Sequence, residues 1–251
     1  MTNIKLIQKR LLEMAVKVRN ILEKENIPYF ITYGTLLGAV RHNGFIPWDD
    51  DFDIYLFDET YDKALGILKK HLPSDLFLEY FDSEPLFFHD WARIKDLKSE
   101  VDFTLYPTDG LYKHHGIRLD LFRTCRIAAG EEKLYRARKH LEYLERKRKI
   151  NLISDEDYKQ KTSQLNKTIK EEELKIQKNN YDKSMIWAFH LQYDDRLTDD
   201  ELFPLKKYKF EGELFYGPNN ADALLKRCYG DYMKLPPENE RVQYYKEVKF
   251  L

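Results

Sequence analysis

Between Gly44 and Phe57 the chain reads GFIPWDDDFDIYLF, with aspartates at 49, 50, 51 and 53 directly before an apolar run. A solvated acidic turn needs no Ile54 or Leu56 behind it, so the run is expected to enter the core as a strand. Residues two apart on a strand share a face. A strand starting near Asp51 therefore sends Asp51 and Asp53 into one site, and Asp49 joins them from the preceding loop. Carboxylates held together on a partly buried surface repel unless a proton or cation separates them. A hard divalent ion answers that need, and Mg²⁺ commonly uses one or two carboxylates plus substrate phosphates. An EF-hand calcium loop is excluded, because counting from Asp49 puts Ile54 where Gly is needed and Thr60 where Glu is needed. A purely structural acidic turn with capping aspartates is the competing reading.

Upstream, YGTLLGAVRHNG supplies the other half of a phosphate site. A strand over 29–33 ends at Gly34, and Thr35 caps a short helix over 36–40, so backbone N–H groups and the Thr35 hydroxyl face an anion. Arg41 and His42 add positive charge and hydrogen bonds on the way to the aspartates. Farther on, GIRLDLF carries Asp120 between Leu119 and Leu121. An aspartate inside such a run must be paired or bound, either as a metal ligand or base or in an ion pair with Arg118 or Arg123.

The order of elements implies an α/β (α+β) fold, a mixed sheet flanked by helices. Apolar residues at alternating steps of three and four from Ile4 to Leu22 mark an amphipathic helix. A second helix spans about 60–71, and shorter strands are expected over 91–94, 101–106 and 117–122. From Glu131 the chain becomes strongly charged, with Leu134, Ala137, Leu141 and Leu144 on one face. A helical hairpin inserted over 131–180, turning near 152–155, is expected to divide a catalytic core over 1–130 from a part completing it over 181–251. That last part reads as a β-hairpin, then a helix capped by Asn219 or Asn220 and ended by Gly230. The hairpin is read as packed by one face on the body; the alternative is a basic platform over 131–150 making peripheral contact with an anionic membrane surface.

With 42 Lys plus Arg against 43 Asp plus Glu, the chain has no electrostatic signature of nucleic-acid binding. Cys125 and Cys228 lack any zinc or disulfide spacing and fit a reducing compartment. The N-terminus has no signal-peptide apolar segment and no stretch is long enough to span a bilayer, so a cytoplasmic location is expected. No GxxxxGK[ST] loop is present.

The segment GTLLGAVRHNGFIPWDDDFDI resembles the signature of the LicD family, bacterial phosphorylcholine transferases related to the fukutins and built on the nucleotidyltransferase fold. GIRLDLF resembles that family's second acidic strand, and LFPLKKYKFEGELFYGPNNADALLKRCYGDYMKLPP resembles its C-terminal block. The resemblance implies transfer of a phosphorylated headgroup, typically phosphorylcholine from CDP-choline, to a hydroxyl of a cell-surface glycan such as a teichoic acid, lipopolysaccharide or capsule precursor. It implies that Asp51, Asp53 and Asp120 hold Mg²⁺ or Mn²⁺, with Asp49 as a further candidate ligand. Gly34, Thr35 and Arg41 would hold the donor's phosphates, His42 would assist, and Trp48 would shape the pocket wall. A choline cage would need aromatic faces, and Tyr112, Tyr208, Tyr216, Tyr229 and Tyr232 lie near the motif segments. The competing functions are a nucleotidyltransferase using an NTP donor, and a non-catalytic nucleotide- or metal-binding module.

Overall fold

A computed structural model of the chain describes residues 4–103, 107–178, 185–188 and 196–251. Helix α1 (Ile4–Lys24) buries Ile7, Leu11, Met14, Val18 and Leu22, the stripe its spacing predicts. Strand β1 (Tyr29–Ile31) follows, then helix α2 (Tyr33–His42). That helix begins earlier than the sequence suggests. Its N-cap residue is Thr32, which makes no side-chain cap bond. Thr35 lies in the first turn, and its Oγ1 accepts the Asp53 N–H at 2.9 Å. The hydroxyl ties α2 to the next strand instead of capping.

Asn43, at φ 55°, ends α2 in the left-handed region. The return loop packs so closely on the helix that a Cβ on Gly38 would lie 2.4 Å from the Gly44 carbonyl oxygen. Gly38→Ala is therefore expected to cost about 1–3 kcal/mol, as overpacking does, read as a lower urea midpoint at unchanged m-value.

Strand β2 (Asp53–Phe57) begins two residues later than expected and does not alternate, because all of its residues are buried. It pairs in parallel with a neighbour, and such strands are covered on both faces. Asp51 consequently stays in the loop before it. Next come α3 (Asp58–His71), β3 (Leu76–Glu79), β4 (Ala92–Asp96), β5 (Ser99–Phe103) and, after a 3₁₀ turn at Pro107–Leu111, β6 (Arg118–Ala128). Of the strand expected over 101–106, residues 104–106 lie outside the described residues. Helices α4 (Glu132–Lys149) and α5 (Asp155–Lys178) form the hairpin. The chain then gives β7 (Met185–Ala188), β8 (Leu197–Thr198), α6 (Asp199–Leu202), β9 (Lys206–Phe210), β10 (Glu213–Gly217), α7 (Ala221–Tyr229) and β11 (Tyr245–Phe250).

The fold is a mixed α/β structure. Its main sheet runs β1-β2-β6-β4-β3, with β2 and β6 parallel and the other pairs antiparallel. The long β6 continues past β4 to pair with β7, which pairs with β8. The C-terminal β11 adds to β5, and β9 and β10 form a hairpin. That hairpin fixes the acidic loop. Phe52, fully buried between Asp51 and Asp53, packs against Phe45, Phe210 and Phe215 at centroid distances of 6.1, 5.2 and 5.2 Å. Burying such a ring contributes about 1.5–3 kcal/mol, and it sends the flanking carboxylates the opposite way.

Asn220 caps α7 by accepting the Ala223 N–H, and Gly230 ends it at φ 63°. In the α4–α5 hairpin Leu134, Ala137 and Leu144 are buried. Its basic residues are largely engaged: Arg138 with Glu173, Arg148 with Asp155, Arg146 over the Phe81 ring and Lys147 over Phe88. Among the described residues no helix is long and apolar enough to cross a membrane.

Candidate active site

Parallel pairing of β2 with β6 sets Asp53 directly opposite Asp120. Both side chains leave one face of the sheet at the start of their strands. The loop over 46–51 delivers the other carboxylates to the same place. Gln8 holds that loop from α1, its Nε2 donating to the carbonyls of Ile46 and Asp49 at 3.0 and 2.9 Å. Asp50 is bound elsewhere and acts on the cluster only through its charge. It is buried, and its two oxygens accept the N–H groups of Tyr244 and Tyr245 at 2.9 and 3.0 Å, anchoring the entry to β11. Asp49 approaches the first turn of α2 so closely that a Cβ on Gly34 would lie 2.9 Å from its Oδ2.

Crowding decides the electrostatics. Burial, with the charge on Asp50 adding to it, pushes the Asp49 carboxyl up to about 7, although a hydrogen bond with Asp51 works against the rise. Asp51 is raised well above the usual carboxylate range by burial and then by Asp49, Asp53, Asp120 and Asp50. Asp53 is raised by burial, Asp120 and Asp49, opposed by Arg118. Such a cluster keeps protons unless a cation takes their place. The all-oxygen donor set suits a Mg²⁺-like ion held by Asp51 and Asp53, with Asp49 beside them. No group of three or more His, Cys, Asp or Glu among the described residues is placed to hold a metal ion. The fit is to an ion whose remaining ligands are water and substrate phosphates.

Asp120 is engaged on its other side by Arg118 and by two residues that the sequence did not point to, Trp91 and Arg93. Its Oδ1 accepts from Trp91 Nε1 at 2.9 Å and from Arg93 Nε at 3.2 Å, and its Oδ2 from Arg118 Nε at 3.4 Å. The two arginines meet again on Asp109. Arg93 Nη1 donates to Asp109 Oδ1 at 3.0 Å, and Arg118 Nη1 to Oδ2 at 2.5 Å. Asp120, Arg93, Asp109 and Arg118 thus close a buried ring of alternating charge. The ion pair to Arg118 offered by the sequence is present. Arg123 pairs instead with Asp58. Asp109 sits on the 3₁₀ turn, and nothing in its local sequence marks it.

At the far end of α2, six residues or about 9 Å from Thr35, Arg41 Nε donates to His42 Nε2 at 2.9 Å and Nη1 donates to the Tyr232 carbonyl at 2.5 Å. Burial lowers the Arg41 pKa, and burial together with Arg41 lowers that of His42. The imidazole is accordingly neutral, accepting at Nε2. Arg41 therefore does not share a turn with Gly34 and Thr35. Of the tyrosines considered for a cage, Tyr112 packs against Phe87 and Phe88, Tyr208 donates to the Pro218 carbonyl, and Tyr216 packs against Tyr29. Tyr229 and Tyr232 alone of the five lie beside Arg41.

The LicD/FKTN/FKRP nucleotidyltransferase-domain family model matches residues 26–117. The lipopolysaccharide cholinephosphotransferase LicD of Haemophilus influenzae is 26% identical over 245 residues, covering 88% of each chain. Over residues 26–117 the chain is similar to the LicD family. The LicD match contains Gly34, Thr35, Arg41, His42, Trp48, Asp49, Asp51 and Asp53 and stops three residues before Asp120. Uncharacterized proteins of Rickettsia prowazekii and Rickettsia typhi are 33% and 34% identical over 119 and 113 residues, 39% and 41% of this chain and 44% and 36% of theirs.

Proposed function

We propose that the protein transfers a phosphorylated headgroup, phosphorylcholine foremost, from a CDP-linked donor to a hydroxyl of a cell-surface glycan precursor, releasing CMP. The observation that carries this reading is the pairing of Asp53 with Asp120 across β2 and β6, with the charges of Asp49 and Asp51 acting on the same buried cluster. The Haemophilus influenzae relative, named for cholinephosphate transfer and lipopolysaccharide, supports both headgroup and acceptor class.

In this proposal Asp51 and Asp53 hold Mg²⁺ or Mn²⁺, which when bound offsets charge on the diphosphate and on the departing CMP. Thr35 orients a phosphate oxygen: its Oγ1 accepts from Asp53, and its own O–H remains to donate. Backbone N–H groups in the first turn of α2, beside Gly34, serve the same anion. Arg41 takes a second phosphate, and His42, accepting from Arg41, steadies the guanidinium. Asp120 is proposed as the remaining ligand or as acceptor of the hydroxyl proton, through Oδ2, the oxygen with the single contact. The acceptor oxygen bonds to the distal phosphorus as the bond to the CMP phosphate breaks.

Incubation with Mn²⁺ and CDP-choline, CDP-ethanolamine, CDP-glycerol, CDP-ribitol or NTPs tests the donor. The true donor at a hundred times its Kd is expected to stabilise by about 2.7 kcal/mol, or roughly 5–10 °C in Tm, and to yield CMP with an acceptor glycan. Release of pyrophosphate from an NTP, with CDP compounds inert, would make the protein a nucleotidyltransferase instead.

A further inference from the structure

We propose that the cavity beside Arg41 is the seat of the donor's nucleoside, with Arg41 at its edge meeting the adjoining phosphate; this rests on the CDP-donor reading above. The cavity measures about 500 Å³ and lies between α2, residues 46–48 and the segment after α7. That volume is ordinary for a small-ligand site. Its walls are apolar and aromatic, with Ile46, Trp48, Tyr229 and Leu235 among them. Trp48, on the cavity wall, directly precedes Asp49 in the chain. Arg241 lies over the Trp48 ring, 4.5 Å from its centroid, and does not line the cavity. It backs the indole without filling the space.

Arg41 is the feature that asks for a ligand. Its guanidinium is half-buried, donates to an imidazole and a carbonyl, and makes no ion pair with a carboxylate among the described residues. A desolvated cation without a carboxylate calls for an anion. A phosphate attached to whatever fills the cavity meets that need.

The chemistry of the walls selects the nucleoside over the other substrate parts. Arg41 and Lys234 outweigh the single carboxylate of Asp231, which disfavours a quaternary ammonium. A glycan acceptor would need hydroxyl and carboxylate partners where this wall offers leucine, isoleucine and proline. A flat, uncharged base stacks on aromatic side chains and tolerates apolar surroundings.

The test uses the full-length protein, titrated with CMP, ribose 5-phosphate and phosphocholine while tryptophan emission is followed. CMP is expected to change the emission, and Trp48→Phe to abolish the change. Tyr229→Ala should weaken CMP binding about 5- to 150-fold, the usual worth of one stacked base, with Tyr229→Phe restoring it. The same Tyr229→Ala change should raise KM for CDP-choline and leave kcat. Leu235→Asp, at a half-exposed position where folding is not at stake, should weaken CMP and spare phosphocholine. Unchanged CMP affinity in both variants, or displacement of CMP by phosphocholine, overturns the nucleoside seat. The two readings fail separately. CMP bound at Trp48 without CMP release from CDP-choline sinks the transfer reading alone, whereas turnover with unchanged KM in Tyr229→Ala sinks the seat alone.

Discussion

Asp53→Asn is expected to abolish metal-dependent CMP release and, in the metal-free protein at neutral pH, to raise the melting temperature. The loss of transfer should exceed about 100-fold, the upper end of what residues merely supporting a metal ligand cost. The gain in stability has a separate origin. Asp53 is a buried carboxylate facing Asp120 and Asp49, and its ionised form is disfavoured by desolvation first and by those charges next. An amide of the same shape carries no charge into that environment. A gain of about 1 kcal/mol would move Tm by roughly 2–4 °C in a chain of this size. Differential scanning calorimetry in chelator, beside a CMP assay in Mn²⁺, reads both effects. A variant that loses activity and also melts lower would show that Asp53 is a structural anchor.

The same cluster gives a pH dependence of defined sign. Asp49 loses its proton near 3.8 when unfolded and at about 7 when folded. Between those values the folded chain holds more protons than the unfolded one, so this cluster makes stability fall as pH rises through the window. Divalent cation reverses the slope, since it binds the ionised carboxylates. Asp53→Asn should flatten the metal-free slope, because it removes a carboxyl that is itself raised and one of the charges that raise Asp51.

Much of this was legible in the sequence where the signal was local. The stripe in α1, the β9–β10 hairpin, the Asn220 cap and the crowding of aspartates each depend on residues close in the chain, and each is found. Errors of register arose where tertiary packing overrode local chemistry. Thr35 looks like a cap but is claimed by the Asp53 N–H, and Asp51 looks like a strand residue but Phe52 is drawn into the ring cluster of the β9–β10 hairpin. Placement by long-range pairing was not legible. Arg93 and Asp120 meet because β4 and β6 pair them, Asp109 reaches the same arginine from the 3₁₀ turn, and no periodicity announces that. The site-residue roles drawn from the family resemblance remain proposals, for which the chemistry of the acidic cluster and the position of Arg41 supply the support.

The ring beneath Asp120 should show the opposite pH behaviour and the largest loss of stability. Asp109→Asn removes one of two carboxylates neutralising Arg93 and Arg118, which are 1% and 5% exposed. Breaking a buried ion pair by deleting one partner costs about 3–5 kcal/mol, because the remaining charge is stranded. Glu79, 3.7 Å from Arg93 Nη1, softens the loss more for Arg93 than for Arg118, on which it acts without an ion-pair contact. The cost should therefore sit mainly with Arg118. Arg118→Met is expected to be destabilising alone, yet the double variant should be less destabilised than the sum by about 0.5–3 kcal/mol, as coupled residues are. Burial alone would raise the Asp109 carboxyl, but Arg93 and Arg118 prevail and hold it below its usual range. Its contribution is thus present above pH 3.8 and lost as acid titrates the folded carboxyl. Acid unfolding followed by circular dichroism should show a loss of stability below pH 3.8 in wild type, and Asp109→Asn should flatten that acid limb while leaving the neutral slope set by Asp49, Asp51 and Asp53. Additive single variants, or an acid limb unchanged by Asp109→Asn, would show that the ring does not act as a unit and that Asp120 is oriented by Trp91 alone.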